Sequence, residues 1–478
     1  MRNTKILATL GPVSSSREMI RELIDAGADA FRLNFSHGSH EQHEELIRSI
    51  RETASSSGRF IPVVADIQGP KIRIGKVTAP FDLRDGDSFT ITTRDVEGTP
   101  QIVSTPFSPL PREVRPGHRI MINDGLVELR VTRVEGEDVE TEVLHGGPIS
   151  SKKGMNFPDS ELTIPAITEK DRLDLRFAAE QHVDYVAASF IRRREDIEQI
   201  RQILSEHGRR DIFVIAKLEK AQAIENLESI LEVSDGVMVA RGDLGVELPP
   251  ERVPIIQKRV LEAASRWGRF AITATQMLES MTTNSRPTRA EASDVANAIF
   301  DGSDAVMLSA ETASGAHPVD SVKMMARIVL TAEQNPELSL RSGRVPRFHP
   351  TEGNDFTDPL AGAANYTAEE IDAKLIVVFT TSGFTARLMS KFRPKAPIVA
   401  LTRRTGAARK MNLLWGVTPR VLQDVGEYHE QIVASVDRYL LDQGLAAEGD
   451  RIVILMGSPI YEKALTNLLR VHRVELRP

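Results

Sequence analysis

The sequence predicts an α/β protein: a (β/α)8 TIM barrel with an inserted all-β lid domain and a C-terminal open-sheet α/β domain. Three observations predict it. Short β-branched runs alternate with amphipathic helical patterns from residue 4 to about 335, the signature of parallel strands crossed by helices. One interval, residues 69–160, has no helical period and is rich in Gly, Pro, Asp and Thr. After about residue 340, the linker-like stretch R-V-P-R-F-H-P-T-E-G-N-D precedes a further alternation of strands and helices. The expected domains are 1–68 with 161–340 for the barrel, 69–160 for an inserted β-barrel lid, and 341–478 for a C-terminal α/β regulatory domain. At 478 residues the chain is too long for one ordinary core, so two or three domains are expected.

The elements follow in order. The eight barrel strands are expected at Lys5–Leu10, Ala30–Asn34, Ile61–Asp66, Tyr185–Ala188, Ile212–Lys217, Gly236–Ala240, Phe270–Thr273 and Ala305–Leu308. Amphipathic helices are expected at Glu169–Glu180, Arg194–Glu206, Val253–Trp267 and Arg289–Phe300. Within the insert, F-T-I-T-T and V-E-L-R-V-T-R-V alternate as half-buried strands do. G-P-K-I-R and N-F-P-D punctuate its entry and exit as hinges. The C-terminal strands are expected at Leu375–Phe379, Ile398–Leu401, Val417–Val421 and Arg451–Leu455. The R-R-R at 192–194 reads as a solvated face.

Composition excludes several classes. A net charge of −7 and pI near 6.0 argue against a nucleic-acid partner, which needs a basic face. With no cysteine, disulfides, thiolate chemistry and cysteine-ligated zinc are excluded. No stretch approaches the ~18 apolar residues of a membrane span, and the start lacks a signal-peptide core. A cytoplasmic enzyme is expected.

The chemistry is expected at the C-terminal strand ends. Strand two ends in R-L-N-F-S-H-G, with Arg32, Asn34, Ser36 and His37. Strand three ends in Asp66, with Lys71 and Arg73 beyond it. Strands five and six supply Lys217, Glu219 and Asp243, the last in R-G-D-L-G, which fits either a simple turn or a short helix start whose backbone amides would bind a carboxylate. Strand seven leads to Thr275, and strand eight to S-A-E-T. Two carboxylates beside a lysine suit a hard cation such as magnesium, with an ammonium facing developing negative charge. An ordinary ion pair at the rim is the alternative for the K-x-E. Arg32 fits a phosphate clamp or a rim ion pair. Asn34, Ser36 and Asp66 fit turn capping or a monovalent-cation cage. His37 fits a loop position or a nucleotide contact, and Thr275 fits a helix cap. No Ser-His-Asp order and no glycine-rich phosphate loop are present. A phosphate-bearing ligand would therefore be held by side chains and metal.

These strings together resemble the pyruvate kinase family over essentially the whole chain: T-K-I-L-A-T-L-G-P, R-L-N-F-S-H-G, D-I-Q-G-P-K-I-R, S-K-K-G-M-N-F-P, I-A-K-L-E, A-R-G-D-L-G, A-T-Q-M-L-E-S-M and M-L-S-A-E-T-A-S-G. The resemblance implies transfer of the phosphoryl group of phosphoenolpyruvate to ADP, then protonation of enolpyruvate. By position it implies Glu219 and Asp243 as ligands of magnesium or manganese, and Lys217 as the group stabilising the transferring phosphoryl and the enolate. Arg32 corresponds to the substrate phosphate contact, and Gly242, Asp243 and Thr275 to the grip on the substrate carboxylate. Thr275 lies on the protonation face, where a relay through water is expected because a hydroxyl is a poor acid. Asn34, His37, Arg73 and Lys153 correspond to nucleotide contacts; lid closure would bring Arg73 and Lys153 onto the ADP phosphates. A homotetramer is also implied.

One departure concerns cations. Many relatives carry glutamate where this chain has Lys71, and they hold potassium on residues matching Asn34, Ser36, Asp66 and Ile67. The chain resembles the potassium-independent branch, with Lys71 supplying the charge; a solvated hinge lysine is the alternative. In the C-terminal domain, Thr380, Thr381, Ser382, Gly383 and Thr385 form a hydroxyl-rich turn before a helix. It resembles the family's pocket for the phosphate of an allosteric effector, or else caps the helix. The later loop, G-S-P-I-Y-E-K-A-L-T-N, lacks the long glycine-rich sequence of sugar-bisphosphate sites, so weak or no activation by fructose 1,6-bisphosphate is expected. Two alternative functions are a metal-dependent barrel lyase acting on pyruvate or phosphoenolpyruvate, and a catalytically inactive metabolite sensor.

Overall fold

The computed structural model describes residues 2–339, 348–349, 357–423, 429–457 and 466–475. Eight parallel strands close a barrel: Lys5–Leu10, Ala30–Asn34, Val63–Ile67, Tyr185–Ala188, Phe213–Leu218, Gly236–Ala240, Phe270–Ala274 and Ala305–Leu308. The first strand pairs with both the second and the eighth, which closes the cylinder. Strand three starts at Val63, two residues later than the sequence predicts. Pro62 has no N–H to give a ladder and only accepts, from the Phe31 amide at 3.1 Å.

Local chemistry places the helices. Thr168 and Asp171 form a capping box at the start of Glu169–Glu180, and Thr288 and Glu291 form another at Arg289–Phe300. Ser39 and Gln42 do the same for His40–Ser56. The apolar faces of these helices pack on the outside of the barrel in one continuous core.

The insert after strand three carries its own core, including Phe89, Ile91, Ile120, Leu129 and Val143. It comprises a six-stranded sheet and a two-stranded ribbon. It also holds a four-residue helix, Leu110–Glu113, which the absence of a helical period did not predict. One turn is too short to register as a period, and Pro109 with Pro111 sets it locally.

The C-terminal sheet has five strands. Val417–Val421, Ile398–Thr402, Leu375–Phe379 and Arg451–Met456 run parallel. The fifth, Leu468–Arg473, pairs antiparallel with Arg451–Met456 and was not predicted. Its Arg470, His472 and Arg473 dilute the apolar run that marks a buried strand. The 344–355 linker lies outside the described residues apart from Phe348 and His349, as do residues 458–465 of the later loop.

This last sheet and its helices close the barrel floor. Side chains inside the barrel (Tyr185, Ile215, Met238, Phe270) pack in one cluster with Met389, Met411 and Leu413 of the C-terminal part. Tyr185 donates its hydroxyl to the Lys410 carbonyl, and its ring meets Phe213 and Phe270 edge to face at 5.7 and 5.5 Å. The opposite, C-terminal mouth is left open for chemistry. Among the described residues, no helix is long and apolar enough to cross a membrane.

Candidate active site

Strands two, three, four and five meet at a charged cluster. Lys217, near the end of strand five, holds its ammonium 2.8 Å from Glu219 Oε1 and 3.2 Å from Asp66 Oδ1. It also donates to Ser189 Oγ at 2.7 Å, and Ser189 in turn donates to the Ile67 carbonyl at 2.8 Å. Arg32 reaches from strand two, its Nε 2.6 Å from Asp66 Oδ2 and its Nη1 3.3 Å from Thr9 Oγ1. Asp66 and Glu219 are each only 1% exposed and Lys217 9%, so their charges must be balanced locally.

The balance is unequal. Burial alone would lower the pKa of Lys217, but Asp66 and Glu219 reverse this and hold it above the ordinary lysine value. Burial pushes Asp66 up, while Arg32 and Lys217 pull harder and hold it below the usual carboxylate value. Glu219 goes the other way: burial raises it, Lys217 offsets this only in part, and the neighbouring Asp243 adds to the rise. Glu219 Oε2 also accepts the Phe190 amide at 2.7 Å, and Phe190 adopts φ 56° to present it.

Asp243 lies in the first turn of the helix Arg241–Glu247, so of the two readings of R-G-D-L-G the short helix start holds and the simple turn does not. That helix begins directly after strand six and continues for seven residues. Two oxygen-donor carboxylates on successive strands, one of them raised by the other, fit a divalent cation. Magnesium commonly takes one or two protein carboxylates and completes its shell with water and substrate oxygens. Among the described residues no group of three or more His, Asp or Glu converges on one point.

Thr275 does not cap the segment that follows it but serves the first turn of the helix Arg241–Glu247. Its Oγ1 accepts the Gly242 amide at 2.9 Å and donates to the Ala274 carbonyl at 2.5 Å. Thr275 and Gln276 both have positive φ, 69° and 53°, an uncommon pair for side-chain-bearing residues and a form of strain typical of functional sites. Arg241 braces this bend: Nη2 donates to the Thr275 carbonyl at 2.9 Å, and Nη1 pairs with Asp294 at 2.7 Å.

Other predicted residues are spread around the mouth. Asn34 Oδ1 accepts the Ser36 amide at 3.1 Å in its own turn, and His37 is exposed. The Ile67 carbonyl is taken by Ser189. Lys71 makes no ion pair with Asp66; its ammonium lies 3.7 Å from Asp124 in the insert. Arg73 donates to the Lys152 carbonyl at 3.0 Å, and the Lys153 carbonyl accepts the Ile74 amide at 2.9 Å, so both stand at the insert's base. In the C-terminal domain, Thr380 Oγ1 accepts the Gly383 amide at 2.9 Å, and Ser382 Oγ accepts the Phe384 amide at 3.4 Å. Thr381 is exposed, and Thr385 is buried and hydrogen-bonded to Thr466 at 2.6 Å.

The sequence reading passed over several participants. Ser189 stands at the end of strand four, whose C-terminal residues were not inspected; that position alone was the signal. Asn156 of the insert donates to Glu247 at 2.7 Å, and Lys220 pairs with the same carboxylate. Arg192 is not part of a solvated face. It donates to the Leu162 and Ile164 carbonyls at 3.1 and 2.8 Å, because the exit of the insert folds over it. Lys71, Arg192 and Lys220 line a cavity of about 240 Å³ between insert and barrel, beside the charged cluster.

Comparisons with known proteins agree with this architecture. The family model described as pyruvate kinase, barrel domain, matches residues 1–322, and that described as pyruvate kinase, alpha/beta domain, matches residues 358–472. The chain is 43% identical over 475 residues to a pyruvate kinase of Geobacillus stearothermophilus, covering 98% of this chain and 80% of the relative. It is 41% identical over 478 residues to one of Clostridium perfringens, covering 99% and 100%. The crystal structure of a pyruvate kinase from Cryptosporidium parvum superposes with a TM-score of 0.91 at 36% identity, covering 99% of this chain and 96% of that one. With both domain families in place and relatives aligned along its length, the chain belongs to the pyruvate kinase family.

Proposed function

We propose that this site carries out the family's phosphotransferase reaction, from phosphoenolpyruvate to ADP, with the following division of labour. Glu219 and Asp243 hold a divalent cation, magnesium or manganese, which when bound neutralises phosphoryl oxygens. Lys217 faces the transferring phosphoryl group and the enolate oxygen. Its ammonium is held charged by Asp66 and Glu219, and Ser189 fixes its direction. Arg32 presents remaining guanidinium donors to the substrate phosphate. The Gly242 and Asp243 amides and Thr275 receive the carboxylate. Asn34, His37, Arg73 and Lys153 receive the nucleotide as the lid closes over the mouth. The observation that carries this reading is the buried Lys217 ammonium bonded at once to Asp66, Glu219 and Ser189. Pyruvate release that depends on ADP, read through lactate dehydrogenase, tests it; ADP-independent release favours a lyase, and no release with intact metal binding favours a sensor.

For the monovalent cation, Lys71 supplies the positive charge that potassium supplies in relatives. It is carried at the insert's hinge and paired with Asp124 when not engaged. With tetramethylammonium as the sole monovalent cation, activity is expected to be nearly full. A large activation on adding potassium overturns this assignment. The turn at 380–385 receives an effector phosphate, and the assembly is a homotetramer. Titration with sugar monophosphates, AMP and fructose 1,6-bisphosphate, together with light scattering, tests both.

A further inference from the structure

Beneath the barrel, on the side away from the active site, a cavity of about 150 Å³ separates the barrel floor from the C-terminal domain. Phe213 and Asp235 border it from the barrel, and Ser382, Phe384, Arg387 and Leu414 from the C-terminal side. Its lining is largely apolar, with Phe213, Phe384, Met411 and Leu414, and carries two cations, Arg387 and Lys410, beside Asp235 and Ser382. Arg387 is only 6% exposed, yet its buried Nε has no partner, and its five N–H donors find no hydrogen-bond acceptor among the described residues. Its contacts are Asp235 at 3.7 Å and the Phe384 ring at 5.4 Å.

Asp235 does not satisfy it. That carboxylate already takes Arg201 at 2.7 Å and the Val214 amide at 2.9 Å, and Arg269 lies close enough to feel the Arg387 charge. Three guanidiniums thus share Asp235. Lys410, the other cation on the cavity wall, is committed to Asp211. Buried cations are normally paired and fully hydrogen-bonded, and Arg387 departs from that rule where it faces this cavity.

We propose that this cavity is a binding site for a compact oxyanion, a carboxylate or phosphate group, received by the Arg387 guanidinium with the Ser382 hydroxyl beside it. Arginine suits either group through its planar fork of donors. The site is distinct from the outer face of the 380–385 turn, where Thr381 is exposed to solvent. It lies under the starts of strands five and six, whose opposite ends carry Lys217, Glu219 and Asp243.

The test titrates inorganic phosphate and benzoate separately into the full chain, in a low-chloride zwitterionic buffer, with binding read by calorimetry. Four proteins are compared: the unaltered chain, Arg387→Met, Leu414→Trp and Thr381→Val. At least one anion is expected to show a binding component beyond those of the active site and the 380–385 turn. Arg387→Met and Leu414→Trp should each weaken it at least about tenfold, as loss of a charge-assisted bond or of the space implies. Thr381→Val should leave it unchanged. Leu414→Trp keeps the guanidinium, so it decides the matter if Arg387→Met does not fold. Preference for phosphate identifies a phosphomonoester, and preference for benzoate a carboxylate with an apolar body. No binding by either anion, equal binding to Arg387→Met, or loss in Thr381→Val alone overturns the proposal.

Discussion

Lys217 illustrates how a residue type becomes a chemical role. In sequence it is a lysine one residue from a glutamate; in space two carboxylates hold its charge and a serine directs it. Lys217→Met is expected to lower kcat by at least about 10²–10³-fold, the scale for removing a preorganised electrostatic stabiliser. Manganese binding, read by electron paramagnetic resonance, should persist through Glu219 and Asp243. Near-normal turnover in that variant would sink the assignment. Ser189, bonded to the Lys217 ammonium and the Ile67 carbonyl, is expected to act by positioning Lys217. Ser189→Ala is expected to reduce kcat about tenfold with a smaller change in the KM for phosphoenolpyruvate, as loss of one charge-assisted hydrogen bond implies. Ser189→Thr should recover most of it. An equal loss in both variants, with KM rising in step, would mark Ser189 as merely structural.

Elements were the most legible scale. Strand and helix periods placed the barrel units within a residue or two, because an apolar strand run and an amphipathic helix repeat are local patterns. The S/T-x-x-E/Q/D capping boxes at Ser39, Thr168 and Thr288 are local in the same way. Thr288→Ala is expected to cost about 1 kcal/mol in denaturant unfolding. No measurable change would mean that Glu291, bonded also to Ser280, holds the helix start by itself. What escaped at this scale was short or polar: the one-turn helix Leu110–Glu113 and the edge strand Leu468–Arg473.

At the scale of the molecule, the barrel is worked at one end and anchored at the other. The anchor is ionic as well as apolar. Lys391 and Arg393 of the C-terminal domain pair with Asp304 at the foot of strand eight, and the Lys5 ammonium donates to the Val417 carbonyl at 2.8 Å. Asp304→Asn removes the carboxylate that Lys391 and Arg393 share. It is expected to destabilise the chain by about 3–5 kcal/mol in denaturant, the usual cost of breaking a buried pair from one side. Limited proteolysis should then cut first around the linker. A variant as stable as the unaltered chain would show that the apolar contact alone holds the two parts together.

By itself the sequence determined the barrel, the β insert and the C-terminal sheet, and it singled out Arg32, Asp66, Lys217, Glu219, Asp243 and Thr275 as candidates, because each stands at or near the end of a strand whose period is local. Only the tertiary structure decided which of them share charge. It put Ser189 under Lys217, turned Lys71 toward Asp124, folded Arg192 beneath the insert and left Arg387 facing a cavity with no acceptor among the described residues. Those outcomes depend on distances between segments far apart in the chain. They are set by how the barrel closes and how the other two parts pack on its ends, and no local pattern encodes them.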